Sequence, residues 1–303
     1  MDITGPKHVK LLTQRIDIYN TGVQVTEDKI LKILEMCYTN TAFSTFPYFY
    51  NNLNSEEAIT ETNSGNCIAL SLYVKKKLKN NYGINSCLIP ATIPKKYQKP
   101  GYLPISHVAL LIPIDNSHKD SGFFIADPAF YFLNPIEFRN FNPGIVFSKN
   151  IYTREPNHNL KDYISIDKLL VKLDFFKEDH HFHECQIIEK GTYYVSCWDE
   201  RDPVDSWKYI LTRIINPDEA ITYGFFLKEQ DGPFITTTET DENNIMQIGG
   251  YLKITGNKLT YSKNLKDRQT YNTDTISTEV VNKINNDLYP FLKGNLPQYL
   301  KNL

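Results

Sequence analysis

The run Asn63-Ser64-Gly65-Asn66-Cys67-Ile68-Ala69-Leu70-Ser71-Leu72-Tyr73 sets a thiol at the opening of a strongly apolar segment, and the residues beyond it limit the folds open to the chain. From Ile68 the apolar positions cover most of a helix circumference for two turns. Such a helix is buried nearly all round at its start and amphipathic at its lysine-rich end. Asn80-Asn81-Tyr82-Gly83 closes it, with Gly83 able to take positive φ. Strands are then predicted over Ile84 to Ile93, Ile105 to Ile114 and Phe123 to Ala126. A buried helix feeding neighbouring strands is an α+β core.

Around that core the pattern is looser. Asp28 to Thr39 carries Ile30, Ile33, Leu34 and Cys37 at helical spacing, with Thr26 as a cap. The aromatic stretch Phe43 to Tyr50, interrupted by Pro47, reads as irregular wall, and Ser55 to Ile59 as a helical turn. Pro94 to Pro104 reads as a wall or lid loop, and 135–165 as irregular. Further strands are expected at 185–198, 206–214, 221–229, 244–255 and 258–263, with a hairpin turning near Gly256. A final helix is expected from Ser277 to Leu292. This suggests a helical lead-in over 1–60, a catalytic core over 61–145, a β-rich region over 146–225 and a C-terminal α/β piece over 226–303.

Composition removes several function classes. The 33 basic and 35 acidic residues leave a net charge of −2, so no global field favours nucleic acid or an anionic membrane. Lys75-Lys76-Lys77-Leu78-Lys79 reads as a solvated helix face. No apolar stretch approaches a membrane span, and Met1 to Lys10 lack a signal-peptide core. Five scattered cysteines without a CxxC pair fit free thiols in a reducing, cytoplasmic setting. The sequence has neither GxGxxG nor GxxxxGK[ST], and Gly249-Gly250 lies in a strand pattern.

The chemistry sits in the core. His107 enters one strand, on a face with Ala109 and Leu111, and Asp127 ends another just before Pro128. Cys67, His107 and Asp127 lie 40 and 20 residues apart, the parts of an activated cysteine nucleophile. A thiol at a helix N-terminus faces N–H groups without intrahelical partners, which favour the thiolate and can hold an oxyanion. Gly65 would permit the tight entry and Asn66 would add a side-chain donor. Taken singly, Cys67 reads equally as a buried core residue and Asp127-Pro128 as a turn; only the ordered set is specific. The rival cluster Asp179-His180-His181-Phe182-His183-Glu184-Cys185 lacks the second ligand pair of a structural zinc site, so no metal is expected.

At Gly65-x-Cys67, His107-Val108-Ala109 and Asp127-Pro128 the chain resembles the transglutaminase-like, papain-like cysteine superfamily. Within it the chain is most similar to the arylamine N-acetyltransferases. Phe49-Tyr50-Asn51-Asn52-Leu53 resembles their aromatic segment before the nucleophile, Gly83 to Leu88 their strand after the catalytic helix, and Trp207 to Tyr261 their third-domain sheet. The resemblance implies a helical first domain, a second domain of antiparallel sheet or barrel, and an α/β third domain. It also implies a ping-pong acetyl transfer through a Cys67 thioester, from acetyl-CoA to an arylamine or other small amine, with no permanently bound cofactor. Where those enzymes carry Arg-Gly-Gly-aromatic-Cys, this chain carries Asn63-Ser64-Gly65-Asn66-Cys67. Two other readings keep the same residues: an amide hydrolase or transamidase, and an inactive binding module.

Overall fold

The computed structural model describes residues 20–91, 107–114, 122–130, 135–141, 145–149, 186–189, 192–195, 207–210, 232–240, 246–263 and 267–301. The loop over 94–104, the strand expected at 221–229 and the His180–Cys185 cluster lie outside these residues.

The first helix, α1 (Glu27–Asn40), starts where expected, with the Thr26 hydroxyl accepting the Lys29 N–H. Its Ile30, Ile33, Leu34, Cys37 and Tyr38 are buried. The aromatic stretch is more regular than its composition suggested. It splits into strand β1 (Ala42–Ser44) and a short helix α2 (Phe46–Tyr50). Pro47 falls in the first turn of α2, where a missing N–H costs nothing, so it opens the helix instead of interrupting structure.

Helix α3 (Ser55–Thr62) is capped by Asn54, whose side chain takes the Glu56 and Glu57 N–H groups while Glu57 reaches back to the Asn54 N–H. Asn63, in the left-handed region at φ 50°, ends α3 and turns the chain into β2 (Ser64–Gly65). Helix α4 (Cys67–Tyr82) comes at once and stops at Gly83, φ 69°.

Next come β3 (Cys87–Ala91), β4 (His107–Pro113), β5 (Gly122–Ala126) and a 3-10 turn at Pro128–Phe130. They are followed by β6 (Ile136–Phe141), β7 (Ile145–Lys149), β8 (Gln186–Glu189), β9 (Thr192–Val195) and β10 (Trp207–Ile210). These strands form one antiparallel sheet in the order β7-β6-β5-β4-β3-β10-β9-β8. The stretch expected as one strand over 185–198 therefore holds an antiparallel pair, β8 and β9. Every residue of β3 and β4 is buried, so β4 shows no alternation of wet and dry faces.

The second sheet takes β11 (Phe234–Thr240), β12 (Met246–Thr255), β13 (Lys258–Ser262) and β14 (Gln269–Asn272), then adds β1 and β2 at one side, in the order β14-β13-β12-β11-β1-β2. The expected hairpin turns at Gly256, φ 53°. In the described residues both sheets are open.

The expected final helix is two: α5 (Thr278–Asp287), capped by Ser277, and α6 (Tyr289–Leu292). Pro290 has no N–H to return to Asn286, so one continuous helix cannot form there. A last helix, α7 (Leu296–Lys301), completes the described chain.

Two packed regions result. Helix α4 lies between α1 and β4. Around the second sheet, Ile235, Leu252, Ile254 and Leu259 meet Val281, Ile284, Leu288, Leu292 and Leu296 in one apolar cluster. Strand pairing joins the two ends of the chain: β1 runs antiparallel to β11, with Phe43 opposite Thr236, and parallel to β2, with Phe43 opposite Gly65. The C-terminal sheet thereby extends to within two residues of Cys67.

Candidate active site

Cys67 is the first residue of α4 and is 6% exposed. What places it there is a change of partner along a few residues. Thr62 and Ser64 share a hydroxyl–hydroxyl hydrogen bond of 2.8 Å, Ser64-Gly65 pairs with β1, and Asn66 caps α4. The Asn66 Oδ1 accepts the Ala69 N–H at 3.0 Å and the Ser55 hydroxyl at 3.0 Å. Cap geometry thus engages the third N–H of the helix and leaves those of Cys67 and Ile68 as the first-turn donors without an intrahelical acceptor.

Gly65 is required by close approach. A Cβ built on it would stand 2.4 Å from the Ala69 Cβ and 2.8 Å from the Tyr48 hydroxyl. Its role as the tight entry to the helix therefore has a concrete cause, the contact of β2 with the first turn of α4. Asn66, expected as a side-chain donor, is occupied through its carbonyl oxygen as the helix cap.

His107 starts β4 and pairs with Ala91 of β3. Asp127 lies just past β5, whose Ala126 pairs with Leu110. Antiparallel register carries the end of β5 back towards the start of β4. The imidazole Nε2 and the carboxylate Oδ2 meet at 2.7 Å, with side chains 4% and 0% exposed. Pro128 then turns the chain into the 3-10 segment, which packs on α4.

The imidazole also interacts with the Cys67 side chain. With Nε2 on Asp127, Nδ1 is the nitrogen left for sulfur. Burial alone would pull His107 down; the Asp127 carboxylate, seconded by Cys67, outweighs it and pushes the imidazole up from its ordinary 6.5 to about 10. Among the described residues no imidazole stands beside Cys37 or Cys87, which are also buried, and burial pushes both thiols up to about 12. The structure thus brings Cys67, His107 and Asp127 to one place, with Gly65 and Asn66 shaping the turn beneath the thiol.

Comparison with solved structures agrees on architecture. The fold is similar to that of the arylamine N-acetyltransferase from Mycobacterium smegmatis, at TM-score 0.52, 10% identity and coverage of 91% of this chain and 92% of that one. It is similar also to the arylamine N-acetyltransferase from Salmonella typhimurium, at TM-score 0.50, 11% identity and coverage of 94% and 91%. The chain has the arylamine N-acetyltransferase fold. No protein-family model and no curated protein matches it in sequence. The α+β class, the antiparallel sheets and the resemblance stated from the sequence agree with these findings. Among the described residues, no helix is long and apolar enough to cross a membrane.

Asn63-Ser64-Gly65-Asn66 leads into Cys67. Asn63, Ser64 and Asn66 each have a local structural role. Asn63 tolerates the left-handed exit from α3, Ser64 bonds Thr62, and Asn66 caps α4.

One participant had no sequence signal. Tyr48 of α2 accepts the Asn66 N–H at 3.0 Å and donates to Ser55 Oγ at 3.3 Å. Its approach depends on three elements meeting. The capping role of Asn66 was legible, since an Asn just before an apolar helical run is a helix-start signature.

Proposed function

We propose that the protein is a cysteine acyltransferase that moves an acetyl group from acetyl-CoA to an arylamine or another small amine. The observation that carries the reading is the buried 2.7 Å His107–Asp127 pair, set against a cysteine at the first position of α4. The shared fold with arylamine N-acetyltransferases supports the acetyl-transfer class.

In this reading the Cys67 proton passes to His107 Nδ1, and Sγ attacks the thioester carbonyl carbon of acetyl-CoA. The Cys67 and Ile68 N–H groups face the oxyanion that forms. Collapse breaks the carbon–sulfur bond to coenzyme A, which leaves as a thiol with the proton from His107, and acetyl-Cys67 remains. An amine nitrogen then attacks that carbonyl, its proton passes to His107, and Cys67 is released as the amide departs. Asp127 holds the imidazole in the tautomer and orientation both halves need. The reading carries with it a four-part division at 1–60, 61–145, 146–225 and 226–303, no nucleic-acid or membrane partner, and a cytoplasmic setting that keeps the thiol reduced.

Intact-mass analysis after mixing with acetyl-CoA and no amine tests this. The expected result is a fraction of chains heavier by one acetyl group, mapped to Cys67 and absent in Cys67→Ala. Acylation by a glutamine-containing peptide but not by acetyl-CoA would replace the reading with a transamidase. No adduct from either donor would leave a binding module.

A further inference from the structure

The hydrogen bonds beneath Cys67 close into a ring. The Asn66 N–H donates to the Tyr48 hydroxyl (3.0 Å), which donates to Ser55 Oγ (3.3 Å), which donates to Asn66 Oδ1 (3.0 Å). That same Oδ1 accepts the Ala69 N–H that starts α4 (3.0 Å). The ring joins α2, α3 and the cap of α4. Ser55 and Asn66 are buried.

A residue that must accept one bond and donate another in a buried place needs a hydroxyl, and here it must also reach across from another helix. Tyrosine supplies both requirements. Gly65 makes the room: a Cβ there would stand 2.8 Å from the Tyr48 oxygen. Burial pushes the Tyr48 hydroxyl well above its ordinary range, only partly relieved by its bonds to Ser55 and Asn66, and the Cys67 side chain pushes it higher still. The proton it gives to Ser55 is therefore kept at any working pH.

We propose that Tyr48 is a positioning residue for the Cys67 nucleophile, holding the Asn66 cap so that the first turn of α4 presents the thiol to His107. Fixing Asn66 at its backbone N–H and at its side chain determines the direction in which Cys67 leaves the cap. It thereby sets both the sulfur and the first-turn N–H groups of α4. Tyr48 makes no bond to substrate in this role. The inference rests on the reading of Cys67 as the nucleophile, but it concerns the thiol alone and needs no acyl donor.

The test is the second-order rate of iodoacetamide labelling at Cys67, measured across pH, in Tyr48→Phe, Ser55→Ala, the double variant and Tyr299→Phe. Tyr299 contacts α2 through other residues, stacking on Tyr50 at 4.4 Å and donating to Asn51 Oδ1 at 3.3 Å. Its Phe variant is the reference for a merely structural loosening of that helix. Tyr48→Phe is expected to slow labelling roughly three- to tenfold, the worth of one buried hydrogen bond, and to change the pH profile. Ser55→Ala should act in the same direction, and the double variant should be no slower than the worse single one, because both break the same ring. Tyr299→Phe should leave rate and profile as in the wild type.

Wild-type labelling in Tyr48→Phe, strict additivity in the double variant, or equal slowing by Tyr299→Phe would each overturn the proposal. If Tyr48→Phe does not fold, Ser55→Ala against Tyr299→Phe decides it alone. Failure of acetyl-CoA to acylate the wild type would sink the acyltransferase reading and leave these arms intact.

Discussion

The region around α4 and the region around the C-terminal sheet both bury their side chains, yet they fill the interior with different chemistry. Among the described residues of 232–301, only Ser262 and Asn285 are buried polar groups, and the β1 strand that joins this sheet adds Ser44. Around α4 the interior holds Ser55, Thr62, Ser64, Asn66, Ser71, His107 and Asp127. A buried polar group costs stability unless its bonds are supplied, so the α4 side must supply more such bonds. The C-terminal region is a packing device, with Ile284, Leu288 and Leu292 laid on Leu252 and Ile254. The α4 region arranges polar side chains around one thiol, Cys67.

The largest effect that would sharpen this contrast comes from Asp127→Asn. Keeping the shape but not the charge should lower Cys67-dependent acetyl transfer by roughly 10⁴-fold, through the wrong imidazole tautomer. It should also lower the His107 titration, read by NMR, from about 10, because burial pulls it down and the Asp127 charge is among the causes that hold it up. That raised value fixes the sign of the pH dependence. A group whose folded pKa lies above its unfolded one contributes fully below pH 6.5, and the contribution is lost as pH rises through about 10. The melting temperature of the wild type should accordingly fall between pH 7 and 10, and that of Asp127→Asn should fall less. Parallel curves would break the assignment of His107 as a charge held by Asp127.

A mid-sized effect should separate the two regions. Ile284→Ala removes a fully buried side chain from the C-terminal cluster and should cost about 2–5 kcal/mol in chemical denaturation. Cys67 labelling in the folded protein should stay at the wild-type rate. Gly65→Ala should do the reverse, costing about 1–3 kcal/mol as its methyl pushes on Ala69 and the Tyr48 hydroxyl, with a clear slowing of labelling. Slowed labelling in Ile284→Ala would mean the regions are one cooperative site.

The same contrast explains what could be read in the chain. Periodicity and end signals are local, and they located α1 at Thr26, the stop of α4 at Gly83, and the strands bearing His107 and preceding Asp127. His107 and Asp127 meet because antiparallel register returns the end of β5 to the start of β4. Non-local pairings left no trace. The joining of β1 and β2 to β11 spans most of the chain, and the Tyr48–Ser55–Asn66 ring needs three helices to converge. Local rules also misled: Pro47 reads as a breaker by composition but occupies a helix first turn, while Pro290 does divide a helix.

Site-resolved iodoacetamide labelling of the folded wild-type protein at pH 7 tests most directly whether the polar surroundings of α4 serve Cys67. Cys37, Cys67 and Cys87 are buried at 0%, 6% and 1% exposure, so access alone separates them little. Burial pushes Cys37 and Cys87 up to about 12, which leaves them as inert thiols, whereas Cys67 has His107 beside it. Labelling of Cys67 on the order of a hundredfold faster than Cys37 and Cys87 is the expected result, since the thiolate is the nucleophile. Equal slow labelling of all three would contradict it and reduce the His107–Asp127 pair to a structural bond.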